Sequence, residues 1–141
     1  MKHEISTTIT IQAPISTVWK EFFNFSEYPN WNPFIKSIKG DIILNQSFKA
    51  ESGNMKFNPT VKVLKPNEEF SWLGKLFFTG LFDGRHSFIF HQNENGSTTL
   101  IQKESFSGIL GGLMKKKLDS EIVDGFNAMN RALKERCENK L

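Results

Sequence analysis

Apolar positions near the end of the chain recur at helical spacing and predict one long amphipathic helix from Gly111 to Lys140. Leu113, Val123 and Phe126 widen a face whose other members lie at steps of four or seven: Leu110, Met114, Leu118, Ile122, Met129, Leu133 and Cys137. A helix this apolar on one side needs a partner that covers it. Since nearly all of the preceding chain has strand-like patterns, we expect the helix to pack against a sheet.

Upstream, alternating apolar and polar positions predict strands. The first runs from Ile5 to Ile11, and two short helical stretches follow it, which Pro29 and Pro33 keep short. Six strands come next, one of them running from Met55 to Val63 with Pro59 as an interruption or bulge. The order of strand, two short helices, six strands and long helix predicts the α+β class, with a sheet of about seven strands.

The last two strands have the clearest pattern. Glu94-Asn95-Gly96 fits a three-residue hairpin loop with glycine in the left-handed conformation. Pairing Asn93 with Ser97 sets Phe90 opposite Leu100, Phe88 opposite Gln102 and His86 opposite Glu104. A two-residue turn would shift the register by one and pair the phenylalanine face with the wrong side of its neighbour, so we favour the longer loop.

Composition narrows the class of protein. At 141 residues we expect one domain spanning 1–141, and with one cysteine no internal disulfide forms. We expect a reduced cytoplasmic setting, with neither a signal peptide nor a membrane span, because no apolar run approaches the necessary length. The net charge of +3 comes with scattered lysines, which argues against a nucleic-acid partner. The oligomeric state stays open between monomer and weak dimer.

Phenylalanine is unusually frequent. The chain has 14 phenylalanines and 3 tryptophans but 1 tyrosine, so most of its aromatic rings carry no polar group. Such rings favour complete burial or an apolar partner. They therefore either fill a core or line a cavity.

Short motifs along the whole chain support a resemblance to a known superfamily. They are Ile11-Gln12-Ala13-Pro14, Val18-Trp19, the segment from Tyr28 to Ile35, Trp72-Leu73-Gly74, the segment from Gly84 to Phe88, the segment from Glu104 to Gly108 and the segment from Phe126 to Lys134. The chain resembles the START/Bet v1-like (SRPBCC) superfamily and, within it, the polyketide cyclase/dehydrase-type bacterial members. The resemblance implies a helix-grip fold, in which a curved antiparallel sheet wraps around the long C-terminal helix.

The resemblance also implies a ligand cavity between sheet and helix. Its lining would come from apolar side chains on both, with two phenylalanines near the mouth: Phe57, Trp72, Phe88, Phe90, Phe106, Leu110, Leu113, Met114, Phe126 and Met129, with Phe78 and Phe82 at the mouth. A small hydrophobic ligand is the partner that such a cavity fits.

His86 and Glu104 are the pair of side chains that best fits a catalytic or ligand-anchoring role. A carboxylate beside an imidazole orients it as a general base or anchors a polar group of a ligand, and Gln102 would add an amide. The alternative is a satisfied buried pair that closes one end of the cavity. No two histidines have metal-ligand spacing, so we expect no metal and no other cofactor.

Three functions follow in order of preference. The first is binding of a lipid, quinone or polyketide-like molecule without catalysis. The second is a polyketide cyclase or dehydratase that uses His86 and Glu104 as candidate catalytic residues. The third is a protein-interaction module like the co-chaperones of the superfamily. Whether any reaction is catalysed stays open at this level.

Overall fold

The order of elements is that predicted for the α+β class. A computed structural model describes residues 3–75, 82–108 and 112–139 of the chain. The elements are β1 (His3–Ile11), α1 (Ile15–Phe22), a 3₁₀ turn (Phe25–Glu27), α2 (Tyr28–Trp31), β2 (Ser37–Lys39), β3 (Lys49–Ser52), β4 (Met55–Phe57), β5 (Thr60–Lys65), β6 (Glu69–Lys75), β7 (Phe82–Gln92), β8 (Thr98–Gly108) and α3 (Gly112–Glu138). The helix-grip architecture, a long helix packed on a curved antiparallel sheet, is confirmed.

The strands form two sheets. The larger has the order β1-β8-β7-β6-β5 and the smaller the order β2-β3-β4. The described residues therefore contain eight strands, one more than the predicted number of about seven. The difference arises at Pro59, which has no N–H to donate to a ladder. The stretch predicted as one interrupted strand is split there into β4, which pairs with β3, and β5, which pairs with β6.

The register predicted for the last hairpin is confirmed. Phe90 pairs with Leu100, and His86 pairs with Glu104. The Asn93 N–H donates to the Ser97 carbonyl at 2.8 Å and closes the three-residue loop. Gly96 in this loop has φ +89°, a conformation that glycine adopts without a steric penalty.

Helix α3 lies across the larger sheet and contacts β1, β8 and α1. Its predicted apolar stripe is buried from Phe126 through Met129 and Leu133 to Cys137, each 1% exposed or less. Asn130 is also 1% exposed and lies on the same face. A polar side chain so deeply buried needs hydrogen-bond partners, and the sheet supplies them.

Many of the aromatic rings fill the core beneath α1. The Phe22 ring lies 4.7 Å from that of Phe88 and 5.2 Å from that of Phe90, measured between centroids. Phe70 packs against Phe22 at 6.1 Å. Ring pairs at these distances add attraction to the free energy of burial. This end of the space between sheet and helices is closed by the protein's own side chains, and a cavity is left on the other side of Trp72.

Candidate functional site

A cavity of about 200 Å³ lies between the inner face of β6 to β8 and helix α3. Its lining is mainly apolar, with polar side chains from β3, β7, β8 and α3. Among the described residues it consists of Phe34, Ile35, Ser52, Met55, Phe57, Trp72, Gly74, Gly84, His86, Glu104, Glu121, Ile122 and Phe126. A mainly apolar concavity with a few polar groups is the usual form of a small-molecule site.

The residues predicted from sequence fall into three groups. One group lines the cavity and consists of Phe57, Trp72, His86, Glu104 and Phe126. A second group is buried but is not among the described lining residues: Phe88, Phe90, Gln102, Phe106 and Met129. For the third group, Phe78 and Leu110 lie outside the described residues, as do the side chains of Phe82, Leu113 and Met114.

Two paired glycines lie on the sheet side of the cavity, and one of them makes room for a carboxyl group. Gly74 and Gly84 pair directly across β6 and β7. A Cβ atom at Gly84 would lie 3.2 Å from Oε1 of Glu104, a closer contact than side chains normally make. At Gly74 a Cβ would have neighbours at 3.9 Å, which is ordinary van der Waals contact. Gly84 therefore accommodates the Glu104 carboxyl group, whereas Gly74 leaves room for a Cβ atom in ordinary contact with its neighbours.

A chain of hydrogen bonds links His86 to the first strand through helix α3. Nε2 of His86 lies 2.9 Å from Oε1 of Gln102. The Gln102 amide donates to Oδ1 of Asn130 at 2.7 Å. The Asn130 amide donates to Oγ1 of Thr7 at 3.0 Å, and the Thr7 hydroxyl donates to the Gln102 backbone carbonyl at 3.2 Å.

The direction of this chain determines the tautomer of His86. A backbone carbonyl only accepts, so the Thr7 hydroxyl proton points to it, and the Thr7 oxygen accepts from Asn130. The amide oxygen of Asn130 then faces Gln102, and the amide oxygen of Gln102 faces the imidazole. His86 must therefore carry its proton on Nε2 and donate it, which leaves a lone pair on Nδ1.

Glu104 faces that lone pair. Its Oε2 atom lies 3.9 Å from Nδ1 of His86, within the range of an ion pair but too far for a hydrogen bond. Among the described residues, this buried oxygen has no hydrogen-bond partner. Burial raises the pKa of the Glu104 carboxyl from 4.5 to about 8. Burial lowers the pKa of His86 from 6.5 to about 3, although the hydrogen bond to Gln102 acts in the opposite direction.

We therefore describe the pair as neutral and not as a salt bridge. The distance alone would admit opposite charges, but burial favours the uncharged form of both groups. At neutral pH the cavity wall then carries an imidazole acceptor, Nδ1, beside a carboxylic acid donor, the Glu104 O–H. One group that accepts a proton and one that donates a proton stand side by side.

Aromatic rings enclose the imidazole. The His86 ring stacks on Phe88 with centroids 4.5 Å apart and an interplanar angle of 17°. Trp72 and Phe126 approach it at 4.7 and 4.8 Å. These rings exclude water from His86 and hold its plane, which explains the strong effect of burial on its pKa.

Phe34 closes the helix side of the cavity, where sequence patterns did not indicate a site residue. Its ring packs edge-on against Phe126, with centroids 5.5 Å apart. It sits directly over Gly125, where a Cβ atom would overlap it. A glycine inside a helix usually lowers helix stability, so its presence in α3 is explained by this close approach.

Asn130 is a further residue of the site that the sequence analysis missed. Its signal was present: it is a polar residue one position after Met129, within the stripe formed by Phe126, Met129, Leu133 and Cys137. A polar residue inside an apolar stripe predicts a buried hydrogen bond. Which strand supplies the partner is not evident from spacing, because Gln102 and Thr7 lie far away in sequence.

Comparison of the whole sequence with known protein families gives an independent assignment. The family model described as polyketide cyclase / dehydrase and lipid transport matches residues 2–138. The chain belongs to this family. The predicted membership of the START/Bet v1-like superfamily is thereby confirmed, and a ligand-binding or cyclase-type function is supported in general terms. A search of curated proteins gave no match.

Solved structures share the fold at low sequence identity. A hypothetical protein from Helicobacter pylori matches with a TM-score of 0.81 and 13% identity, over 96% of this chain and 88% of its own. A START superfamily protein from Mycobacterium smegmatis matches with a TM-score of 0.73 and 22% identity, over 99% of both chains. The Zhui aromatase/cyclase from a Streptomyces species matches with a TM-score of 0.75 and 12% identity, over 99% of this chain and 96% of its own.

Two classes of site lack support in the described part of the chain. No group of three or more histidine, cysteine, aspartate or glutamate side chains there is arranged to hold a metal ion. None of the helices described has the combined length and apolar character of a membrane span.

Proposed function

We propose that the protein binds a small hydrophobic molecule in the cavity between β6 to β8 and α3. The observation that carries the proposal is the mainly apolar cavity of about 200 Å³, whose walls include the neutral side chains of His86 and Glu104. Cavities that hold drug-sized ligands measure roughly 300–1,000 Å³. The ligand is therefore small, on the scale of one or two fused rings or the ring end of a longer lipid, quinone or polyketide-like molecule.

Tryptophan fluorescence tests the proposal. Trp72 lines the cavity, whereas Trp31 is not among the described lining residues and its ring lies 5.9 Å from the Arg136 guanidinium. Titration with small aromatic compounds, quinones and short polyketide analogues should give a saturable change in emission. The change should disappear in Trp72→Phe and persist in Trp31→Phe. If no compound gives a saturable response, or if the response depends on Trp31 and not on Trp72, the proposal is wrong.

A second candidate function is dehydration or cyclisation of a β-hydroxyketone-like substrate in the same cavity. The supporting observation is the lone pair on Nδ1 of His86, 3.9 Å from the carboxyl of Glu104. In this scheme Nδ1 takes the proton next to the carbonyl, and the Glu104 carboxyl gives a proton to the departing hydroxyl, which leaves as water. Both groups start neutral, in the protonation states that the step requires.

The enzymatic version is tested with His86→Ala in parallel with Trp31→Phe. Elimination of water from a β-hydroxyketone of one or two rings should be lost in His86→Ala, while binding of that compound, followed by calorimetry, should remain. Trp31→Phe should keep both. Equal turnover in wild type and His86→Ala would exclude the enzymatic role for His86.

A further inference from the structure

The cavity wall carries acidic groups without basic ones among its described residues. Glu104 on β8 and Glu121 on α3 line it, and no described lysine or arginine does. The remaining titratable group among the described lining residues is His86 on β7. The neighbouring strands add no charge beside the pair, since β6 contributes Trp72 and β1 places Ile5 opposite Glu104. The whole chain has a net charge of +3, so the acidic wall does not follow from composition. An anion bound here would meet carboxyl groups and no described counter-charge.

The polar pair has the geometry of a hydroxyl-binding site. Nδ1 of His86 and Oε2 of Glu104 are separated by 3.9 Å, too far to bond to each other and too close for an oxygen atom on the line between them. An oxygen atom displaced toward the cavity lies about 2.8 Å from both atoms, a normal hydrogen-bond distance. A hydroxyl group there donates to the imidazole lone pair and accepts from the carboxylic acid. Both of its hydrogen-bonding capacities are then used, and Oε2 gains the partner that it lacks among the described residues.

We propose that the ligand of this cavity is an uncharged ring compound that inserts a hydroxyl group between His86 and Glu104, and that carboxylates are excluded. This inference rests on the proposed binding function and narrows it. A carboxylate oxygen presents only lone pairs, so it would face the lone pair of Nδ1. Moreover, a carboxylate would have to take up a proton in order to enter as a neutral carboxylic acid.

Naphthalene and two of its derivatives, which share one ring system, provide the test. Naphthalene, naphthol and naphthoate, with the substituent at the same ring position, are titrated into the full-length protein at about pH 7 by calorimetry. Naphthol should bind roughly five- to a hundredfold more tightly than naphthalene, the combined net effect of two hydrogen bonds. Naphthoate should bind at least about a hundredfold more weakly than naphthol, since protonating an ordinary carboxylate at neutral pH costs about tenfold per pH unit above its pKa.

A variant isolates the contribution of the polar pair. Glu104→Leu removes the acid donor but keeps an apolar wall and the Nδ1 acceptor of His86, so the preference for naphthol over naphthalene should fall to the roughly two- to tenfold expected of the one remaining hydrogen bond. The ratio within one variant is the readout, and naphthalene binding shows that the variant retains its cavity. In Glu94→Gln, which changes an exposed carboxylate of the hairpin loop outside the cavity lining, the preference for naphthol should persist.

The outcomes separate the inference from the function on which it rests. If naphthoate binds as tightly as naphthol, or if Glu104→Leu keeps the full wild-type preference for naphthol, the inference is wrong while the proposed binding function stands. If none of the three compounds binds the wild type, both the proposed function and the inference fail.

Discussion

Replacement of Glu104 by glutamine should change the pH dependence of stability in a defined way. Burial raises the pKa of this carboxyl from 4.5 in the unfolded chain to about 8 in the folded protein. A group whose pKa is higher in the folded state contributes stability that is complete below its unfolded pKa and is lost as the pH rises through the folded pKa. The native protein should therefore lose stability between about pH 4.5 and pH 8 on account of Glu104.

The magnitude follows from the two pKa values. Each pH unit between them changes the free energy of unfolding by about 1.4 kcal/mol, since the folded state holds one proton more. Between about pH 5 and pH 7 the wild type should lose about 2.5 kcal/mol relative to Glu104→Gln, whose amide does not titrate. His86 is present in both proteins, so its own titration cancels in the difference.

The assay is urea unfolding of both proteins at about pH 5, 6 and 7, followed by circular dichroism. The unfolding free energy of the wild type minus that of Glu104→Gln should fall steadily by the stated amount as the pH rises. A constant difference across this range would mean that Glu104 is ionised throughout, and the assignment of a neutral carboxyl beside His86 would be refuted.

In the wild type, His86 gives the opposite dependence of the unfolding free energy on pH. Its pKa falls from 6.5 to about 3 on folding, so its contribution is complete above the unfolded value and is lost as the pH falls through the folded value. The two slopes oppose each other between about pH 4.5 and pH 6.5. The joint contribution of these two groups to wild-type stability should therefore be nearly constant in that window. It should decrease below about pH 4.5 and above about pH 6.5.

Three further predictions concern single positions. Gly74→Ala should raise the unfolding free energy by about 0.5 kcal/mol, as measured by urea unfolding. Gly84→Ala should show no such gain and, in calorimetry, should bind naphthol more weakly, because its Cβ displaces the Glu104 carboxyl. Arg136→Met should lower the unfolding free energy by roughly 2 kcal/mol, because Arg136 bonds to the buried Glu21 carboxylate at 2.8 Å; an unchanged urea midpoint would contradict this. Cys137, whose pKa burial and the nearby Glu21 raise to about 12, should react with a disulfide reagent only as fast as the protein unfolds, and fast labelling of the native protein would contradict its burial.

Local patterns were sufficient where one face of a strand is buried and a turn sets the register. The pairing of His86 with Glu104 follows from the alternation in two strands and from a glycine loop at Gly96, all close in sequence. The apolar stripe of α3 is equally local, because the helical period repeats it. The pairing is confirmed, and the stripe is confirmed for Phe126, Met129, Leu133 and Cys137.

Features that depend on distant parts of the chain were not predictable. The pattern from Met55 to Val63 alternates smoothly across Pro59, so the division between two sheets depends on which neighbours each half finds. Likewise Phe34 reaches Gly125 from a loop whose path is set by tertiary packing. The link from Asn130 to His86 needs three elements to meet, and no spacing in one segment reports it.

Native mass spectrometry of wild type, Gly74→Ala and Gly74→Leu tests most directly whether the cavity is a binding site. Gly74 faces the cavity, with room for a Cβ atom but with Phe57 and Trp72 nearby, so a leucine should fill the space that a ligand needs. After addition of naphthol, wild type and Gly74→Ala should each carry one bound molecule, and Gly74→Leu should carry none while keeping its native circular dichroism. Equal loading of folded Gly74→Leu, or no loading of the wild type, would contradict a binding function for this cavity.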